Sequence, residues 1–145
     1  MKVTGNQQVG QEIIAVLKQW DQAICSLDLH QIIAQCSADV SLFDVSSELV
    51  GVSAYQQIWT RYQDYFQSGL RVFRDRIHIQ AESQLAFVSC FSKIDVESGI
   101  PTPNILWCRT TICFRKKDDQ WKIVHQHISL PTEIQDREPV KWDFS

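Results

Sequence analysis

His125 and His127 stand one residue apart in QWKIVHQHIS, and on an extended strand that spacing projects both imidazoles from one face. Such a pair can serve as metal ligands, as catalytic bases, or as buried hydrogen-bonded groups. Zinc needs three or four ligands, and a third would have to be recruited from Cys113 or Asp95, so no metal is expected. Which of the other uses applies depends on the face of the sheet the histidines occupy.

The chain has 145 residues, a formal charge of −3 and a charged fraction of 21%. This is a single-domain length, enough to bury roughly 68–70% of the unfolded surface around one core. No basic excess marks a nucleic-acid or membrane-surface footprint, so neither partner is expected. Cys25, Cys36, Cys90, Cys108 and Cys113 are odd in number, lie in apolar segments and form no C-x-x-C pair. That usage points to reduced thiols and a cytoplasmic setting. The opening MKVTGNQQVGQEII has no uninterrupted apolar stretch, and no run of 18 apolar residues follows, so neither export nor a membrane span is expected.

Val9, Ile13, Val16, Trp20, Ile24 and Leu27 recur at the spacing of an amphipathic helix. Asp28 and Gln31 resemble a capping box for a short second helix running to Cys36, and ADVSLFDVSS reads as a strand. Gly51 precedes a third helix whose stripe is Tyr55, Ile58, Trp59, Tyr62 and Phe66, and Gly69 ends it. The period then becomes two. LRVFRDRIHIQ, QLAFVSCFSKIDV, NILWCRTTICFRKK and QWKIVHQHISL are four strands joined by AES, ESGIPTP and DD, an antiparallel meander. Three helices before a meander predict an α+β fold in which the sheet curls its apolar face over the helices. The whole chain, 1–145, reads as one domain with a core at about 8–131 and an irregular tail, 132–145, containing Trp142 and Phe144.

The order of these pieces, with CSADVSLFD after the second helix and RTTICFRKKDDQWKIVHQHIS at the end, resembles the nuclear transport factor 2-like superfamily. Ketosteroid isomerase, SnoaL-like polyketide cyclases and the association domain of calcium/calmodulin-dependent kinase share that fold. The SnoaL-like pattern R-x-T, a basic hairpin and W-x-I-x-H-x-H-x-S is met by Arg109, Thr111, Trp121, Ile123, His125, His127 and Ser129. The resemblance implies a cystatin-like cone, a curved mixed sheet packed on three N-terminal helices, and a homodimer. Because such folds host isomerases, dehydratases, hydrolases and oligomerisation modules, it implies no single activity.

Alternation separates Trp121, Ile123, His125, His127 and Ser129 from Lys122, Val124, Gln126, Ile128 and Leu130, and Arg109, Thr111 and Cys113 from Thr110, Ile112 and Phe114. The apolar set must face the helices, so it is expected to be concave. Arg109, Thr111, Trp121, His125, His127 and Ser129 are then expected on the convex face, where donors and acceptors can pair across a two-fold axis. A β-bulge between Trp121 and His125 would reverse the faces and bring the histidines to the pocket.

In the resemblance to ketosteroid isomerase, SADVSLFD places Asp44 at the catalytic aspartate, where desolvation would raise its pKa and suit it to general acid/base work. The alternative is a strand-end Asp capping a turn. Trp20 stands where that isomerase has its oxyanion tyrosine; it could donate one hydrogen bond or simply pack. The kinase domain's pocket arginines correspond to Ser92, Ile112 and Ile128, so an anion site of that type is not implied. The expected cavity is lined by Trp20, Asp44, Trp59, Tyr62, Val88, Cys90, Ser92, Ile112, Phe114 and Ile128, residues that could equally fill a core. Arg109, Lys116, Lys117 and the charges of RVFRDR are expected in solvent or at the interface.

The function expected is binding of a small apolar or amphipathic ligand without a cofactor. It would be coupled to isomerase, cyclase or lyase chemistry through Asp44; the alternative is a non-catalytic ligand-binding or oligomerisation module.

Overall fold

Helix α1, Gln7–Cys25, begins where the Asn6 side chain accepts the Val9 N–H at 3.0 Å. Its buried stripe is Val9, Gly10, Ile13, Leu17, Trp20, Ala23 and Ile24; Leu17 takes the inward place expected of Val16. Asp28 caps α2, Leu29–Ala34, by accepting the Gln31 N–H at 3.1 Å, and the chain turns directly into a strand at Cys36. Gly51, at φ 92°, turns the chain into α3, Val52–Tyr65. A side chain would be strained in that conformation. The computed structural model describes residues 1–66, 69–96 and 106–132. The expected tail beyond Thr132, with Trp142 and Phe144, and the connection ESGIPTP lie outside the described residues.

Seven strands form one sheet: β1 (Lys2–Gly5), β2 (Cys36–Phe43), β3 (Glu48–Val50), β4 (Leu70–Ala81), β5 (Leu85–Val96), β6 (Cys108–Lys117) and β7 (Gln120–Ser129). Their order is β1-β4-β5-β6-β7-β2-β3. The β4–β7 meander is antiparallel as expected, while β1 lies parallel to β4 and β2 parallel to β7, so the sheet is mixed. The DD connection is a two-residue hairpin turn with Asp118 at φ 51° and Asp119 at φ 59°. Both residues lie in the left-handed region that primed turns require. No helix among the described residues is long and apolar enough to cross a membrane.

The cone is filled at one end and hollow at the other. At the filled end Ile79, Val88, Ile112, Phe114 and Ile123 pack beneath Ile13 with almost no exposure. Strand β7 reaches that end only by breaking its alternation. Cys113 faces His125 while the next residue, Phe114, faces Ile123, which leaves Val124 without a counterpart. This is the bulge that alternation alone could not exclude, and it reverses the opposite half of the strand from the one expected. Trp121 and Ile123 turn inward, and His125 and His127 stay outside. Trp121 therefore does not belong with the convex residues. It is 8% exposed, and its indole Nε1 donates to Glu12 Oε2 at 2.6 Å.

Lys116 completes this contact, 3.5 Å from Glu12 and 5.8 Å from the centre of the Trp121 ring. The hydrogen bond from Trp121 lowers the Glu12 pKa from 4.5; desolvation opposes it and Lys116 reinforces it. A carboxyl depressed on folding contributes stability that is present above its unfolded pKa and lost as pH falls through its folded one. Glu12→Gln is accordingly expected to melt below wild type at neutral pH, with the gap closing below about pH 4.5, as thermal unfolding followed by circular dichroism will show.

Candidate functional site

The hollow end is built from the first residues of β4 and β6 and the last of β2, β5 and β7, roofed by α1 and α3. Leu70, Val72 and Arg74 enter from β4, Ser92 and Ile94 from β5, and Gln126 and Ile128 from β7. Helix α1 adds Trp20 and Ile24, and Asp44 closes the end of β2. On α3 the spacing of three and four residues stacks Tyr55, Trp59, Tyr62 and Phe66 into one aromatic wall, with successive ring centroids 6.3, 5.4 and 6.1 Å apart. The enclosed space is about 350 Å³, the size of a site for a small molecule.

Few polar groups face this space. Asp44 sits half-buried at its mouth, and its Oδ1 accepts the Val45 N–H at 2.7 Å while its own N–H donates to Ser47 O. The turn-capping alternative and the cavity position are thus realised by the same side chain. Burial raises the pKa of the Tyr62 phenol and of the Cys108 thiol, and in both the Asp44 carboxylate adds to the effect. Its charge is therefore felt across the mouth. Deeper in, the buried Tyr55 hydroxyl donates to Gln126 Oε1 at 3.3 Å, and burial drives the phenol pKa upward. Ser92 Oγ lies 2.5 Å from Thr110 Oγ1.

One charged group lies in the interior. The Arg74 side chain is 7% exposed, and its Nε and one terminal nitrogen donate to the two Asp21 oxygens at 2.8 and 2.6 Å. Its other terminal nitrogen reaches Cys90 Sγ at 3.6 Å. Burial works against the guanidinium charge, but the Asp21 carboxylate outweighs it and the Arg74 pKa rises. This overturns the expectation that the charges of RVFRDR are all solvated. Arg74 has the inward parity of Leu70 and Val72, a signal present in the sequence but hidden by its charge. Its partner Asp21 follows Trp20 on α1, and only the fold brings the two elements together.

Of the residues expected in the cavity, Trp20, Asp44, Trp59, Tyr62, Ser92 and Ile128 line it. Val88, Ile112 and Phe114 do not: they are fully buried in the filled end. Cys90 lies between the two regions, buried beneath Arg74 rather than on the lining, and burial raises its thiol pKa. Tyr55 and Gln126 join the cavity, the first known from sequence only as part of a helix stripe.

The convex side carries His125, His127, Thr111, Arg109 and Ser129, as β6 and β7 cross it. His125 Nδ1 is 2.7 Å from Ser41 Oγ, and the Phe43 ring lies edge-on to both imidazoles, at 5.0 and 5.7 Å. Among the described residues no group of three His, Cys, Asp or Glu side chains converges as metal ligands would. All five cysteines are free thiols; burial pushes that of Cys36 up to about 12.

The SnoaL-like domain pattern matches residues 13–133, most of the chain. The chain belongs to the SnoaL-like family. Among curated proteins, none matches this SnoaL-like sequence. Solved structures share its NTF2-like, cystatin-like fold. An NTF2-like protein of unknown function from Pseudomonas putida is 22% identical over 94% of this chain and 100% of its own, with a TM-score of 0.81. A candidate dehydratase of the NTF2-like family from Streptomyces avermitilis is 18% identical over 90% and 100%, with a TM-score of 0.75. A candidate scytalone dehydratase from Novosphingobium aromaticivorans is 17% identical over 83% and 82%, with a TM-score of 0.71.

Within this SnoaL-like cone the Asp21–Arg74 pair gives a direct stability test. Removing one partner of a buried pair strands the other charge, which costs about 3–5 kcal/mol. Asp21 is itself 24% exposed, so Asp21→Ala is expected near the lower end, a loss of about 3 kcal/mol in urea unfolding, and Asp21→Asn less.

Proposed function

We propose that this SnoaL-like chain binds a small, mostly apolar molecule in its hollow end and moves a proton on it through Asp44. The observation that carries the reading is a carboxylate at the mouth of a mostly apolar cavity, close enough to influence Tyr62 and Cys108. A carboxylate so placed can take a proton from an acidic C–H beside a carbonyl and return it elsewhere, which is isomerase, cyclase or lyase chemistry. The two neighbours named as candidate dehydratases support the lyase form, since loss of water across a C–C bond can begin with the same proton. The non-catalytic alternative keeps the cavity and gives Asp44 only its turn.

Asp44→Asn separates the two. It keeps the size of the side chain and the acceptor for Val45 but cannot serve as a base, so deuterium exchange into enones and cyclic ketones in D₂O is expected to slow by about 10²–10⁴-fold while melting is unchanged. Equal exchange by both proteins removes Asp44 from the chemistry and leaves the binding-module reading.

We further propose that the convex face is a subunit contact. What favours it is the set of large apolar side chains exposed there: Phe43 at 44%, Phe87 at 43% with Leu85 two residues before it, and Phe73 farther along the face, level with Lys93. Lys93 lies over the Phe73 ring at 5.2 Å and over Trp107 at 5.0 Å, bordering the patch with charge. His127→Glu would bring like charges together across a two-fold axis, which costs several kcal/mol. Light scattering is expected to show wild type as a dimer and the variant as a monomer at micromolar concentration; an unchanged dimer contradicts the assignment.

A further inference from the structure

Arg74 is an unusual wall for an apolar cavity. A buried ion pair adds little net stability, because desolvation offsets most of the attraction between its members. Here the pair is also arranged asymmetrically. Asp21 takes the Nε edge of the guanidinium, and Cys90 takes one N–H of the far terminal nitrogen. Three of the five N–H groups of an arginine are thereby used. Among the described residues one N–H on each terminal nitrogen is left over, on a side chain that lines the cavity.

A second observation points the same way. Trp20, next to Asp21 in the chain, is 1% exposed and lines the same cavity, yet its buried indole N–H has no acceptor among the described residues. A buried donor left unpaired costs about 1–3 kcal/mol, and an acceptor atom in the cavity would remove that cost. The region around Arg74 is thus rich in donors, while on the aromatic wall of α3 the Tyr55 hydroxyl is committed to Gln126, the Trp59 indole is hydrogen-bonded to Tyr55, and the Tyr62 hydroxyl is the remaining donor.

We infer that Arg74, held in place by Asp21, and Trp20 form the oxygen-binding end of the cavity, and that its ligand is a neutral carbonyl compound whose hydrocarbon body lies against Trp59, Tyr62 and Phe66. This deepens the ligand-pocket reading and rests on it. Neutrality follows from charge: Asp21 already balances Arg74, and of the two other charged lining residues Lys93 offsets Asp44, so a carboxylate ligand would add an uncompensated negative charge to a largely apolar space. A carbonyl oxygen accepts without that penalty.

Three bicyclic probes of one size test the inference by equilibrium binding, with no dependence on turnover: 2-tetralone, tetralin and tetralin-2-carboxylate. Wild type is expected to bind 2-tetralone about tenfold or more tightly than tetralin, the effect of one charge-assisted hydrogen bond, and to bind the carboxylate more weakly than the ketone. The double variant Asp21→Asn, Arg74→Met leaves no charge stranded and is expected to bind tetralin as wild type does while losing the preference for the ketone. If that variant loses tetralin too, its cavity has collapsed, and Arg74→Lys and Trp20→Phe decide. A ketone preference that falls in both supports the inference, and one that survives in either overturns that residue's part in it. Equal binding of ketone and hydrocarbon by wild type, a preference kept by the double variant, or tighter binding of the carboxylate overturns the inference and leaves the ligand pocket standing. Failure of all three probes to bind wild type sinks the ligand pocket itself.

Discussion

Helix α1 is fastened to β4 along its whole length, and the shape of the cone follows from that attachment. At its start the Asn6 N–H donates to Ala81 O at 2.8 Å, at the end of β4. One turn later Gly10 passes so close to Val3, on the strand paired with β4, that a β-carbon would collide with it. In the middle Ile13 and Leu17 share the core with Ile79, and near the end Asp21 grips Arg74. The first fastenings are short or apolar and draw helix and sheet together. The last is a long arginine reaching to a carboxylate, and there the two elements enclose a cavity instead of a core.

The division of the cone into filled and hollow ends explains which parts of the site could be read in the sequence. Period-two alternation tells which face a strand residue takes, and it assigns Ser92, Ile128, Ile112 and Phe114 alike to the concave side. It carries no information about height along the strand. Ile112 and Phe114 fall at the filled end and Ser92 and Ile128 at the hollow one, a distinction set by where α1 and α3 lie. Arg74 was obscured for a different reason: a charged residue at an inward position is read as surface unless its partner is known, and Asp21 lies 53 residues away.

Helices α1 and α3 and the meander were legible because each has many turns or pairs repeating one period, and the six-residue α2 was legible from its Asp28 cap. Strands β1 and β3 were not, since four and three residues are too few to establish any. The bulge at Val124 has no local signature either. It is imposed by two demands on one strand: Trp121 and Ile123 are needed in the core, while pairing to β2 keeps His125 opposite Ser41 and His127 opposite Phe43. A continuous alternation cannot satisfy both, and the extra residue reconciles them.

The same two short strands have a bearing on how the molecule meets its neighbours. A sheet ends in unpaired N–H and C=O groups that can recruit another chain, and long flat edges do so readily. Here β4 and β2, both long enough to be such edges, are each covered over part of their length by a strand of three or four residues, β4 at His78–Ala81 and β2 at Ser41–Phe43. Among the described residues the uncovered part of β4, Leu70–Ile77, is broken by an irregularity between Asp75 and His78, where Arg76 lies at φ 51°. Growth of the sheet from one molecule into the next is therefore opposed by cover over part of each edge and by the kink in the rest of β4, and side-by-side stacking into fibres is disfavoured even where the faces of the sheet remain sticky.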